Sequence, residues 1–150
     1  MPDERASLIK MSAHLTETAT TKPHICVLED DVAVRDSMRW MLERNGFSTR
    51  TFGSPNEFLM SQELDRYDCL VVDVGLPGMS GLELLELLRA RAYSKPVVLI
   101  AASVDRQLEP RMRKAGVSEL LMKPIAPSTL LAALNQAIGS KSSVSNAVRT

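Results

Sequence analysis

From Ile25 onward, short runs that are apolar at nearly every position alternate with stretches in which apolar residues recur at helical spacing, and five such pairs succeed one another. That alternation predicts successive βα units around a parallel sheet. The first run, Ile25-Cys26-Val27-Leu28, leads into a helix with Val34, Met38, Met41 and Leu42 on one face, stopped by Asn45-Gly46. Residues 47–52 make a short second strand. Ser54-Pro55-Asn56-Glu57 then forms a capping box with proline at the first helical position, predicting a helix from Glu57 to about Leu64. The central run, Cys69-Leu70-Val71-Val72, ends at Asp73. Ser80-Gly81-Leu82-Glu83 is a second capping box, opening a helix through Leu82, Leu85 and Leu88 that ends near Arg91.

Residues 97–101 are the fourth strand. The helix over 105–115 is weaker, because Pro110 in its interior would remove a hydrogen bond and clash with the preceding turn; it is either kinked or begins near Glu109. Gly116 ends it, residues 119–122 are the fifth strand, and Leu130, Leu131, Leu134 and Ile138 stripe a last helix stopped by Gly139. A chain of 150 residues suits one domain, placed at 23–139. The flanks, 1–22 rich in Thr, Glu and Lys and 140–150 rich in Ser, read as flexible extensions. Leu8, Ile9, Met11 and Leu15 have the spacing that would line a short N-terminal helix, but an isolated one is marginal in water and little weight rests on it.

Eighteen basic and eighteen acidic residues cancel, so bulk charge advertises neither nucleic-acid nor anionic-membrane binding. Two unclustered thiols, Cys26 and Cys69, fit a reducing compartment, and no segment approaches the ~20 apolar residues of a membrane span or resembles a signal-peptide core. A cytoplasmic protein is expected.

The chemistry lies at the strand ends. Glu29-Asp30-Asp31 follows the first strand, Asp73 closes the third, and Lys123-Pro124 follows the fifth. An ionised carboxylate at the mouth of a buried strand is costly unless compensated, and in parallel α/β sheets the loops beyond the carboxyl ends of the strands converge on ligands. The three ends are therefore expected to form one site. Taken singly, Asp73 also reads as an ordinary turn residue, and Asp31 as the cap of the first helix. The glycines of 75–81 lack the Gly-Lys-Ser/Thr ending of a phosphate loop. His14 and His24 have no clustered partners, and Trp40 reads as packing or partner surface.

Glu29-Asp30, Asp73 and Lys123-Pro124, together with Leu76-Pro77-Gly78-Met79-Ser80-Gly81-Leu82-Glu83, resemble the receiver domain of two-component response regulators over roughly 23–139. The resemblance implies a flavodoxin-like, doubly wound five-stranded parallel sheet in order 2-1-3-4-5 and a cis peptide at Lys123-Pro124. It implies that Asp73 accepts a phosphoryl group from the phosphohistidine of a sensor kinase or phosphotransfer protein. It further implies Mg2+ held by Glu29, Asp30, Asp73 and the Gly75 carbonyl, with Lys123 contacting the phosphoryl group. Such a chain signals to a downstream protein target or a second copy of itself, and is an acceptor with slow autodephosphorylation at most, not a turnover enzyme. Magnesium prefers octahedral oxygen ligation and keeps waters, which suits that donor set.

Receivers usually carry Ser or Thr at the end of the fourth strand and an aromatic residue three before the lysine; this chain has Ala101 and Leu120. Ser103 lies two residues on, and a backbone amide near Ala102 remains as a donor. The departure supports an alternative, a degenerate receiver that binds proteins without phosphorylation. A third class, an aspartyl hydrolase of the haloacid-dehalogenase type, typically carries a second acid two residues after the nucleophile, where this chain has Gly75. Arg106, Arg111, Arg113 and Lys114 make the fourth helix basic, either a solvated face or a docking surface for an acidic partner or second receiver. After Lys123 only 27 residues remain, too few for a helix-turn-helix output domain within this chain.

Overall fold

The computed structural model describes residues 21–103 and 105–141. The short helix expected through Leu8, Ile9, Met11 and Leu15, the residue His14, and nearly all of both extensions expected to be flexible lie outside the described residues.

Five strands, β1 (His24–Leu28), β2 (Ser48–Phe52), β3 (Cys69–Asp73), β4 (Val97–Ala101) and β5 (Glu119–Met122), pair in parallel in the order β2-β1-β3-β4-β5. Helices α1 (Val32–Arg44), α2 (Pro55–Met60), α3 (Gly81–Ala90), α4 (Glu109–Lys114) and α5 (Pro127–Lys141) connect and follow them. This is the flavodoxin-like doubly wound fold, and its strand order reverses between β1 and β3, the place where such sheets open a crevice.

The sheet is buried on both sides because alternate residues of each apolar strand feed separate cores. Cys26, Leu28, Leu70, Val72 and Leu99 pack with Phe58, Leu85 and Met112 of α2, α3 and α4. Ile25, Val27, Val71, Val98, Ile100 and Leu121 pack with Leu42 of α1 and Leu130 and Leu134 of α5. Cys26 and Cys69 fall in opposite cores as free thiols, and burial lifts both well above the usual thiol range, Cys69 to about 12. No described helix is long and apolar enough to cross a membrane.

Local chemistry sets the helix ends, with several departures from the sequence expectation. Asp31 caps α1 by accepting from the Val34 amide at 3.1 Å, and Gly46, at φ +91°, provides the left-handed turn after it. Val34 does not join the core face of α1 but stands exposed at the rim of a cleft described below. The second helix stops at Met60 instead of reaching Leu64, because Gln62 adopts φ 56° and breaks the right-handed run; a 3-10 turn follows at Leu64–Arg66. Ser54 caps α2, but Glu57 closes no box with it and accepts instead from the Gly53 amide at 3.0 Å. Ser80 and Glu83 complete the expected reciprocal box at α3. Pro110 is accommodated by starting α4 at Glu109, after a 3-10 turn at Arg106–Leu108. Helix α5 runs through Gly139 to Lys141, since glycine weakens a helix by about 1 kcal/mol yet keeps its amide donor and does not by itself end one.

Candidate functional site

Beyond the carboxyl ends of β1, β3, β4 and β5 lies an open cleft of about 450 Å³ whose lining includes Glu29, Asp30, Asp73, Gly75, Ala101 and Lys123. Every site residue proposed from the sequence borders it. Parallel pairing explains the convergence: Leu28 stands beside Val72, Asp73 beside Ile100, and Ala101 beside Met122, so the residues ending each strand emerge at one level.

Asp73 is 6% exposed, and both its oxygens are occupied: Oδ1 accepts from the Gly75 amide at 2.9 Å, Oδ2 from Lys123 Nζ at 2.7 Å. These bonds supply the compensation a buried carboxylate requires. Lys123 reaches Asp73 from the end of β5, which lies beside β4, its amide donating to Ala101 O at 2.8 Å; the Lys123-Pro124 peptide is cis, as the resemblance implies. Burial would pull its ammonium down, but the bond and charge of Asp73, with the charge of Glu29, outweigh it and leave Lys123 above the usual lysine range.

Glu29 is 2% exposed, the more deeply buried acid. Its backbone is held on both sides, the amide donating to Phe52 O at 3.1 Å and the carbonyl accepting from Arg35 Nη1 at 2.9 Å. Its Oε2 accepts from the Asp31 amide at 3.1 Å, while Oε1 lies 3.4 Å from Lys123 Nζ and finds no hydrogen-bond donor among the described residues. Burial raises the Glu29 carboxyl above its ordinary value, and the neighbouring Asp73 charge adds to that; the Asp31 amide and Lys123 oppose it. Asp30 is exposed at the rim, and single carboxylate oxygens of Glu29, Asp30 and Asp73 all lie within 4.8 Å of one another. An all-oxygen acidic set with one buried carboxylate oxygen lacking a donor is a fit for a hard divalent cation, which would relieve both the repulsion and the orphaned oxygen.

The structure also draws in groups the sequence reading passed over. Arg35 grips the Glu29 carbonyl, and its signal was electrostatic: a cation in the opening turns of a helix runs against the helix dipole. Gly81 lies against the Asp73 backbone, where any Cβ would stand 2.6 Å from Asp73 O. Ala101 is 3% exposed and presents only a methyl to the cleft, with Ala102 and Ser103 beyond it at the exposed rim. Leu120 is half-buried and packs on the core beneath α3 and α4. His24 lies away from the cleft, stacked on Tyr67 at 5.1 Å, and Trp40 is exposed with Arg44 4.5 Å above its ring.

A doubly wound parallel sheet with two buried acids and a lysine meeting at its switch point defines a class, the flavodoxin-like proteins with an acidic pocket at the carboxyl edge. Within that class the chain belongs to the response regulator receiver domain family, whose model matches residues 25–135, and it is thus a receiver of two-component signalling. It is 34% identical over 119 residues to the transcriptional regulatory protein FixJ of Bradyrhizobium diazoefficiens, covering 79% of this chain and 58% of that one. To the transcriptional regulatory protein TdiR of Thauera aromatica it is 34% identical, covering 85% and 55%. The chain therefore spans a little over half the length of these relatives. Among solved structures, the response regulator StyR superposes with TM-score 0.75 at 37% identity over 85% of this chain and 65% of that one. A CheY-like receiver domain protein from Methanospirillum hungatei gives 0.75 at 24% identity over 81% and 97%, a likeness of fold.

Proposed function

We propose that residues 23–139 act as a cytoplasmic phosphoacceptor, taking a phosphoryl group onto Asp73 from a phosphohistidine of a sensor kinase or phosphotransfer protein and signalling to a protein target through the surface. The observation that carries this reading is the Lys123 ammonium 2.7 Å from Asp73 Oδ2, in a cleft it shares with the Glu29 and Asp30 carboxylates.

Attack by an Asp73 oxygen forms the O–P bond as the P–N bond of the donor breaks and its electron pair leaves on the imidazole. A carboxylate approaches a polyanionic group poorly, so the residues around it must position it and neutralise charge. The Gly75 amide fixes the Asp73 carboxylate by one oxygen, and Lys123 brings a compact cation to where phosphoryl oxygens will lie. Glu29, Asp30, Asp73 and the Gly75 carbonyl would hold Mg2+, which supplies further neutralisation of the phosphoryl oxygens when bound. The acyl phosphate carries a charge of about −1.5 to −2 where the carboxylate carried about −1, and it brings further acceptor oxygens, enough to reorder loops around the cleft.

A second reading, a degenerate receiver that binds proteins regardless of phosphorylation, is favoured by the bare Ala101 methyl in the cleft wall and by Leu120 on the core. The experiment incubates the intact chain with Mg2+ and a small acyl phosphate and follows its mass. One alkali-labile phosphoryl group per chain, absent from Asp73→Asn, supports the acceptor. No label on the unaltered chain removes that reading in favour of the second, and catalytic release of phosphate would replace both with a hydrolase.

A further inference from the structure

The geometry points to Arg35 as a positioning residue that sets the acid pair Glu29-Asp30 for cation binding, acting through the Glu29 backbone. The inference rests on the cation site proposed above. Glu29 stands at the centre of the proposed acid pair: its side chain is 2% exposed and carries the carboxylate oxygen without a donor, and Asp30 follows it directly. Two bonds fix the Glu29 backbone, one on each side of its Cα. The Glu29 amide donates to Phe52 O, at the end of β2, and the Glu29 carbonyl accepts from Arg35 Nη1 at 2.9 Å. The first comes from the sheet, while the second depends on one side chain reaching back from α1. Arg35 lies close to the β2–α2 loop: a Cβ on Gly53 would stand 2.8 Å from Nη1 and 3.6 Å from Glu57 Oε2, which itself accepts from the Gly53 amide. The absence of a side chain at Gly53 thus leaves the space that the guanidinium occupies when it bonds the Glu29 carbonyl.

Coulomb's law gives the idea a sign that separates it from a charge effect. Removing a cation from the neighbourhood of a cation site should, by charge alone, tighten Mg2+ binding. Loss of a positioning bond should weaken it, and groups behind metal ligands typically govern affinity by about 10- to 100-fold.

Gly53 offers an independent route to the same bond. Its backbone is not left-handed, so alanine is permitted there, and the crowded atoms are flexible side-chain ends. Gly53→Ala therefore leaves the Arg35 charge in place, yet displaces Nη1 by about 0.6 Å from the position in which it bonds the Glu29 carbonyl.

Titration calorimetry of the full chain with Mg2+ alone, with thermal midpoints measured without Mg2+ to confirm folding, tests the proposal. Arg35→Met is expected to weaken Mg2+ binding about 10-fold or more, and Arg35→Gln, which keeps a donor without the charge, to recover part of the loss. Gly53→Ala is expected to weaken binding several-fold with the charge intact, and it decides the matter should Arg35→Met fail to fold. Unchanged or tighter binding in Arg35→Met, or no effect of Gly53→Ala, overturns the role of Arg35. Absence of Mg2+ binding by the unaltered chain removes the cation site itself, and this role with it.

Discussion

Gly81 is where packing and chemistry are hardest to separate, and Gly81→Ala tests both. The residue opens α3, its amide donates to Val74 O at 3.0 Å, and its backbone is not left-handed, so glycine is required for space and not for conformation. A Cβ would stand 2.6 Å from Asp73 O, 3.0 Å from Asp73 C and 3.0 Å from Val72 Cγ1. Two of the three are backbone atoms of the proposed acceptor, so relief means moving β3 against α3 by up to about 0.8 Å. Overpacking of this kind costs about 1–3 kcal/mol, offset by up to about 1 kcal/mol from the better helix propensity of alanine. A net loss of about 1–2 kcal/mol corresponds to roughly 4–8 °C in thermal midpoint for a domain of this size. The same shift displaces the Asp73 carboxylate from Lys123 and the Gly75 amide; because a 1 Å misplacement can cost about 10²-fold, phosphoryl acquisition should slow by about tenfold. Thermal unfolding and the rate of mass gain from an acyl phosphate, measured below the variant's transition, report the two effects. A variant as stable as the parent and labelled at the parent's rate would refute the claim that Gly81 fixes the Asp73 backbone.

Arg89 donates to the carbonyls of Ala115, Tyr93, Lys95 and Gly116, tying the end of α3 to the turn before β5; Arg89→Met should cost about 2–4 kcal/mol, read as a lower urea midpoint, with no change expected in the Asp73 labelling rate. The Arg111 bond holds the Glu86 carboxyl below its ordinary value of 4.5, so this pair adds stability above that pH and loses it as pH falls through the lowered value. Both side chains are more than a third exposed, so the contribution is small and salt-screened; Arg111→Ala should narrow the stability difference between neutral and acid solution, and a difference that widens contradicts the assignment. Ala101→Ser places a donor in the cleft wall and should raise the rate of phosphoryl acquisition up to about tenfold, a modest share of the 10²–10³ reported for a single oxyanion donor because Lys123 already serves the site.

The central strands were legible because β1, β3 and β4 are apolar over nearly their whole length, a pattern that burial on both faces explains, while the edge strands β2 and β5 are only partly buried; β4 and β5 fall on the expected residues. The site was legible for a related reason: charges directly after such runs stand out, and parallel pairing leaves them little choice but to meet. What escaped depends on contacts distant in sequence or on single dihedrals. Glu57 prefers the Gly53 amide over its own cap residue, Gln62 turns left-handed without being glycine, and Gly139 stays helical because its position lies within a docked helix. Val34 keeps helical phase with Met38 yet sits one turn too near the cleft to be covered. Arg35 and Gly81 act on backbone atoms of other elements, and no periodicity encodes that.

The arrangement also separates two functions that a receiver usually joins. Acceptance of a phosphoryl group needs the ends of β1, β3 and β5, and there this chain has the acids, the lysine and a tightly held Asp73. Transmission in the pattern this chain resembles needs a hydroxyl on β4 and an aromatic ring on β5, and at those places it has a methyl and a leucine already committed to the core beneath α3 and α4. A leucine on that core has no ring to swing inward, so a charge appearing at Asp73 has fewer movable parts on the β4–β5 side. On the β4–β5 side the cleft is tied by sheet-type backbone bonds, the Lys123 amide to Ala101 O and the Val74 amide to Ile100 O, whereas on the other side a side chain joins it: Glu29 connects to Phe52 and Arg35, and Arg35 abuts Gly53. A structural response to phosphorylation should therefore be sought first in the β1–α1 and β2–α2 loops. Hydrogen exchange that changes only at α4 and β5 on labelling would show that the usual relay operates despite Ala101 and Leu120.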